Sequence, residues 1–136
     1  MFLQPTDDQG RELFTRGLIG PVTMLNLLRF REVADYSASP ELAPEAPISG
    51  EEAYDVYERH TLPFLIAAGG ALTARAEGGP VFIGPPGERW DRVLLVTYPS
   101  LEAFMAMATN EPYLAGLGHR TAALEDSRLL PITLDT

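Results

Sequence analysis

An α+β fold, a four-stranded antiparallel sheet with helices on one face, follows from three observations in this chain. First, a β-branched, aliphatic and aromatic run, Trp90 to Tyr98, is cut off by Pro99, and Ser100 then sits where an N-cap belongs. Beyond it, Leu101-Glu102-Ala103-Phe104-Met105-Ala106-Met107 carries its apolar residues at helical spacing. Second, Val22 to Phe30 is apolar on both faces, with Val22, Met24, Leu28 and Phe30 on one and Leu25 and Leu27 on the other, as a central, doubly covered strand requires. Third, the predicted elements run β-α-β-β-α-β behind one extra helix, which is the ferredoxin-like order.

Each element has its own signal. Thr6-Asp7-Asp8-Gln9 has the capping-box pattern, so a short helix is expected from Asp7 to Arg16, stopped by Gly17. It has few apolar residues and reads as an appendage docked on the main body. Val22–Phe30 is strand one. Residues 35–48 hold Pro40, Pro44 and Pro47 and are expected to form an irregular, mobile loop or lid. Ser49 to Glu52 is a second capping box opening a helix to about Ala68, ended by Gly69-Gly70. Pro63 inside it predicts a kink near Arg59 or His60. Strand two is expected over Ala71–Ile83 with a bulge or bend at Gly78-Gly79-Pro80. A turn follows at Gly84–Glu88, then strand three over Trp90–Tyr98. The helix after Ser100 should break near Asn110-Glu111-Pro112 and resume from Pro112 to about Asp126. Strand four is expected over Arg128–Leu134. The chain is expected to be one domain, residues 1–136, with a 7–17 appendage and a 20–134 core.

Composition excludes whole classes of chemistry. The chain has 136 residues, no Cys, two His (His60 and His119) and a net charge of −9. All ten basic residues are Arg. Thiol nucleophiles, disulfides and thiolate metal sites are excluded, as are Schiff-base lysines and the lysine of a phosphate loop. The acidic balance argues against nucleic acid and anionic membrane as partners. No pair of His shows metal-ligand spacing, so neither a metal nor a cofactor is expected. Without a recognisable signal peptide or membrane-length apolar run, a cytoplasmic location is the expectation.

Helices on one face leave the other face of the sheet bare, yet strands one and three are apolar on both. A monomer rarely tolerates such a patch. Packing against a second copy, sheet to sheet, gives the dimeric α/β barrel.

The pattern of Val22-Thr23-Met24-Leu25-Asn26-Leu27-Leu28-Arg29-Phe30, Ser49-Gly50-Glu51-Glu52-Ala53-Tyr54, Gly69-Gly70, Trp90-Asp91, Tyr98-Pro99-Ser100, and His119-Arg120 with Ala123-Leu124-Glu125-Asp126 resembles an uncharacterised, domain-of-unknown-function family of the dimeric α/β-barrel superfamily. The resemblance covers roughly residues 20–132 and implies the fold and a homodimer, but no reaction. That superfamily includes cofactor-free quinol monooxygenases, lactone isomerases and haem-binding peroxidases.

Several polar and aromatic residues stand where the pattern calls for burial. His60, on the inward stripe of its helix, reads either as a general base or as a histidine bonded to a carbonyl freed by Pro63. Arg120 reads as a fork for a substrate carboxylate or as half of an ion pair with Glu125 or Asp126; His119 stands beside it. Asn26 suits an oxyanion or enolate oxygen, or else is tied to neighbouring backbone. Arg29 is a second anion candidate. Tyr54, Tyr57, Trp90 and Tyr98 would line a pocket for a planar ligand, or simply fill the core.

The leading expectation is a homodimer that binds a small organic acid or planar aromatic compound between sheet and helices. As a catalyst it would perform cofactor-free proton transfer or oxygenation, with His60 as base and Asn26 and Arg120 holding the oxyanion; Arg29, Tyr57, Trp90, Tyr98 and His119 would contact substrate. The alternative is a non-catalytic ligand-binding or structural dimer.

Overall fold

The structure, a computed structural model, describes residues 1–135. Four strands, β1 (Val22–Phe30), β2 (Ala71–Pro80), β3 (Arg89–Tyr98) and β4 (Leu124–Ile132), form one antiparallel sheet in the order β2-β3-β1-β4. The helices are α1 (Asp7–Thr15), α2 (Gly50–Ala67), α3 (Leu101–Ala108), α4 (Glu111–Leu114) and α5 (Leu117–Ala123). This is the ferredoxin-like α+β fold with an N-terminal helix added.

Both capping boxes form: Thr6 with Gln9, and Ser49 with Glu52. Ser100 Oγ accepts from the Ala103 N–H at 3.1 Å and starts α3. The two central strands divide their residues by phase. Val22, Met24, Leu28 and Phe30 of β1, with Leu94 and Tyr98 of β3, are buried against Ala53, Tyr54, Tyr57 and Leu65 of α2 and Tyr113 of α4. The opposite phase makes an uncovered apolar stripe: Leu25 pairs with Leu95 and Leu130, and Leu27 with Val93. Leu130 is 54% exposed there.

Four expectations need correction. Strand four begins at Leu124 rather than Arg128. Ala122-Ala123-Leu124 looks helical in isolation, but pairing of Leu124 with Phe30 on the free edge of β1 decides otherwise. Pro131 is tolerated because β4 is an edge strand. The last helical stretch is two short helices, α4 and α5, not one run to Asp126; Gly116 parts them. A Cβ on Gly116 would collide with the His60 ring, so α2 and this turn approach each other only because that residue is glycine. β2 ends at Pro80, short of Ile83, and its register shifts between Leu72 and Ala74, not at Gly78-Gly79. Finally, the Pro-rich loop contains a turn of 3-10 helix at Pro40–Leu42, for which Pro40 supplies the pre-set φ of a first position. The loop's ends are tied down: Ala34 N–H donates to Ile48 O, and Asp35 N–H to Ala122 O, each at 2.9 Å.

No helix among the described residues is long and apolar enough to cross a membrane.

Candidate functional site

Helical spacing puts Tyr54, Tyr57 and His60 three residues apart along one side of α2. Against them α4 brings Tyr113, α5 brings His119 and Arg120, and the end of β3 brings Tyr98. The Tyr57 and Tyr113 hydroxyls share a hydrogen bond of 2.6 Å, and the Tyr54 and Tyr57 rings lie 5.2 Å apart. Burial pushes the phenols of Tyr54, Tyr98 and Tyr113 far above their ordinary range. They remain protonated at any physiological pH and act as hydroxyl donors, never as bases.

The two histidines flank this cluster. His60 Nε2 donates to the carbonyls of Pro112 at 3.0 Å and Tyr113 at 3.1 Å. Since both partners are acceptors, Nε2 carries the proton. The carbonyls belong to α4, not to the turn freed by Pro63. His119 Nδ1 is hydrogen-bonded to the Tyr36 hydroxyl at 2.8 Å. Burial, and then the neighbouring His60, hold His119 below its ordinary value of 6.5.

Arg120, in the last turn of α5, is half-buried. Its Nη1 donates to Leu3 O at 2.8 Å, and its Nη2 to Ser127 Oγ at 3.4 Å. Ser127 Oγ in turn donates to Phe2 O at 2.6 Å, and Phe2 N–H to Asp126 Oδ1 at 2.8 Å. Among the described residues Arg120 makes no ion pair; the Tyr54 hydroxyl is its other polar neighbour on the inner side. The C-terminal end of α5, where Arg120 sits, carries the negative end of the helix dipole. Neither Glu125 nor Asp126 pairs with it: Glu125 takes Arg29 at 3.2 Å, and Asp126 takes Arg128 at 2.8 Å.

The remaining sequence candidates lie elsewhere. Asn26 is 8% exposed, and its amide donates to Met24 O at 3.1 Å, a bond to its own strand. No hydrogen bond joins it to His60 or Arg120 among the described residues. Arg29 is spent on Glu125. Trp90 is buried beneath the Arg128 guanidinium, 5.2 Å from the ring centre. The fold thus gathers His60, His119, Arg120, Tyr57 and Tyr98 at the junction of α2, α4 and α5, and leaves out Asn26, Arg29 and Trp90. A hollow of about 290 Å³ lies within the Pro-rich segment itself, lined by Val33, Ala34, Tyr36, Pro44, Glu45 and Ile48, and Tyr36 links it to this cluster through His119. Among the described residues no three His, Asp or Glu side chains are grouped as a metal site would need.

Sequence reasoning missed Tyr36, Tyr113, Ser127 and Arg92. Only Arg92 carried a signal, being a charge in phase with buried Leu94 and Tyr98. Its Nη1 donates to Asp55 at 3.0 Å and Glu58 at 3.1 Å, both on α2, and Arg75 of β2 reaches the same two acids at 3.3 Å.

The fold matches solved structures. The protein of unknown function RPA0582 from Rhodopseudomonas palustris is 34% identical, with a TM-score of 0.84 over 98% of this chain and 97% of that one. The methylated form of RPA0582 gives 32% and 0.87 over 99% and 96%. The chain belongs to the RPA0582 family. That family is uncharacterised, as the resemblance read from the sequence implied. More distant likenesses are of fold alone. A dimeric ferredoxin-like protein of unknown function from Thermobifida fusca is 16% identical, with a TM-score of 0.50 over 85% of this chain and 92% of that one. SnoaB, a cofactor-independent oxygenase from Streptomyces nogalater, is 13% identical, with a TM-score of 0.51 over 87% and 96%. No family model matches this RPA0582 relative, and no curated protein does.

Proposed function

We propose that this RPA0582-family protein is a homodimer, joined through the helix-free face of its sheet, that binds a small organic acid or planar aromatic carboxylate at the junction of α2, α4 and α5. The observation that carries the binding reading is Arg120. A half-buried guanidinium is costly to desolvate, and in a structural role it comes with a carboxylate. Arg120 has backbone and hydroxyl partners instead, beside tyrosines that stay protonated and can only offer hydroxyls. That is an environment complementary to an anion supplied from outside. The neighbouring hollow, apolar but for Glu45 and the Tyr36 hydroxyl, suits the apolar part of a small molecule whose carboxylate lies at Arg120.

The dimer rests on the uncovered stripe of Leu25, Leu27, Val93, Leu95 and Leu130. Light scattering on the parent chain is expected to give twice the 14.8 kDa chain mass. Leu27→Asp should shift it to the monomer; a parent chain that elutes as a monomer at micromolar concentration removes this part of the reading.

Binding is favoured over turnover by Asn26, whose amide is engaged with its own strand. A second reading, cofactor-free proton transfer or oxygenation, draws on His60: Nε2 donates to two carbonyls, which leaves Nδ1 as the ring nitrogen that would act as general base. The deciding experiment is a thermal-shift panel of small carboxylates and quinols at millimolar concentration, on the parent and on Arg120→Gln. Carboxylates should raise the melting temperature of the parent alone. An equal response in Arg120→Gln would remove Arg120 from the site.

A further inference from the structure

We infer that residues 1–5 form an autoinhibitory strap: the consecutive carbonyls of Phe2 and Leu3 occupy, on Ser127 and Arg120, the two acceptor positions that a ligand carboxylate would take. This rests on the Arg120 reading above and adds how that site is regulated.

The geometry is that of a stand-in. Arg120 Nη1 donates to Leu3 O at 2.8 Å and Ser127 Oγ donates to Phe2 O at 2.6 Å. Arg120 Nη2 closes the triangle onto Ser127 Oγ at 3.4 Å, longer than a good hydrogen bond. Two neighbouring acceptors are thus presented to a guanidinium and a hydroxyl, which is what a carboxylate presents. The carbonyls differ in one respect: they bring no charge. A carboxylate would supply both acceptors and the missing negative charge, and charge-assisted bonds are roughly twice as strong as neutral ones.

The strap is also held from its outer side by contacts that do not involve Arg120. Phe2 N–H donates to Asp126 Oδ1 at 2.8 Å, and the Phe2 ring lies 4.8 Å from the Arg128 guanidinium. Met1 and Phe2 are nonetheless exposed, and Leu3 alone of the first three residues packs against the core. Such a segment can lift without unfolding the sheet, because segments with few buried contacts open at low cost. When it lifts, Arg120 and Ser127 lose two neutral acceptors and face solvent, ready for an anion. A strap seated nine-tenths of the time would weaken apparent ligand affinity about tenfold.

The test is titration calorimetry with benzoate as the carboxylate probe and benzamide as its uncharged isostere, on the parent chain, on a chain lacking residues 1–5, and on Arg120→Gln of both. Removal of the strap is expected to tighten benzoate about tenfold, with benzamide far weaker than benzoate in every chain that keeps Arg120, and to have no effect in the Arg120→Gln background. Asp126→Asn, which weakens the bond to the Phe2 N–H and meets Ser127 only at its backbone N–H, at 2.9 Å, leaving the Arg120 guanidinium and the Ser127 hydroxyl in place, should give a smaller gain of the same sign and serves if the shortened chain does not fold. Equal benzoate affinity in the parent, the shortened chain and Asp126→Asn overturns the strap; loss on Arg120→Gln alone would then leave the carboxylate site standing. A second readout separates the two ideas when benzoate binds nothing. Amide exchange should show the Phe2 N–H protected in the parent and exchanging faster, though still slowed by its bond to Asp126, in Arg120→Gln. A Phe2 amide that exchanges at the free-peptide rate in the parent overturns the strap whatever the ligand does.

Discussion

Arg92 and Arg120 are both arginines taken out of water by the same helix–sheet interior, and they are treated in opposite ways. The Arg92 side chain is 5% exposed, and its charge is met by Asp55 and Glu58 and overlaid on the Phe30 ring at 4.9 Å. Arg75 shares the two acids, so four charges form a closed network tying α2 to β3 and β2. Among the described residues Arg120 donates to the Leu3 carbonyl and the Ser127 hydroxyl, and to no carboxylate. The chain is not short of carboxylates, having 19, so the difference lies in placement rather than supply. A charge compensated from within is a structural joint. One left to neutral partners is, on the reading proposed above, open to an anionic ligand.

That contrast can be broken or sharpened by measurement. Arg92→Ala should be the most damaging change, costing about 2 to 3 kcal/mol, because it leaves partly buried acids with Arg75 alone and removes a cation–π contact. Urea denaturation checks it; a loss under about 0.5 kcal/mol would mean the network is a surface ornament. Ser100→Ala supplies a yardstick of about 1 kcal/mol, the cost of one N-cap, and an unchanged midpoint would show the cap to be dispensable. Arg120→Gln should fall below that yardstick, since the lost hydrogen bond is offset by relief of a desolvated charge, while carboxylate binding disappears. A stability loss as large as that of Arg92→Ala would make Arg120 a second joint and erase the contrast.

The smallest effect is that of pH on the strap. Burial acts to raise the carboxyl of Asp126, but hydrogen bonds from Phe2 and Ser127 N–H and from Arg128 outweigh it and hold the group below the ordinary 3.8. A depressed carboxyl contributes stability that is present above its unfolded value and lost as pH falls through the folded one. Strap signals in a proton NMR titration should therefore stay fixed at neutral pH and move only in acid below 3.8. Movement between pH 5 and 7 would point to another group. His119 gives the companion result: with its value lowered, chiefly by burial, its ring should titrate below 6.5, and the stability tied to its neutral form should be lost as pH falls beneath that value.

How far the site was legible follows from how local each contact is. His60, His119, Arg120, Tyr57 and Tyr98 were visible as polar or aromatic residues in buried phases. Their partners were not. Tyr36 meets His119 from 83 positions away, and Leu3 meets Arg120 from 117. Ser127 looked like one more residue between a helix and a strand, because the onset of β4 depends on pairing with β1. Asn26 was equally conspicuous, yet its partner is two residues away on its own strand. A polar residue in an apolar strand announces that it needs a partner, not where the partner is.

The sequence by itself determined the bounds of β1, both capping boxes, the Ser100 cap, the element order and hence the ferredoxin-like fold. These depend on spacings of two to four residues, which backbone geometry converts directly into strands, turns and helix ends. The tertiary structure alone decided where β4 begins, where β2 bulges, which acids Arg92 meets and that, among the described residues, Arg120 meets none. Those outcomes depend on surfaces brought together across the chain, where pairing and desolvation outweigh local preference.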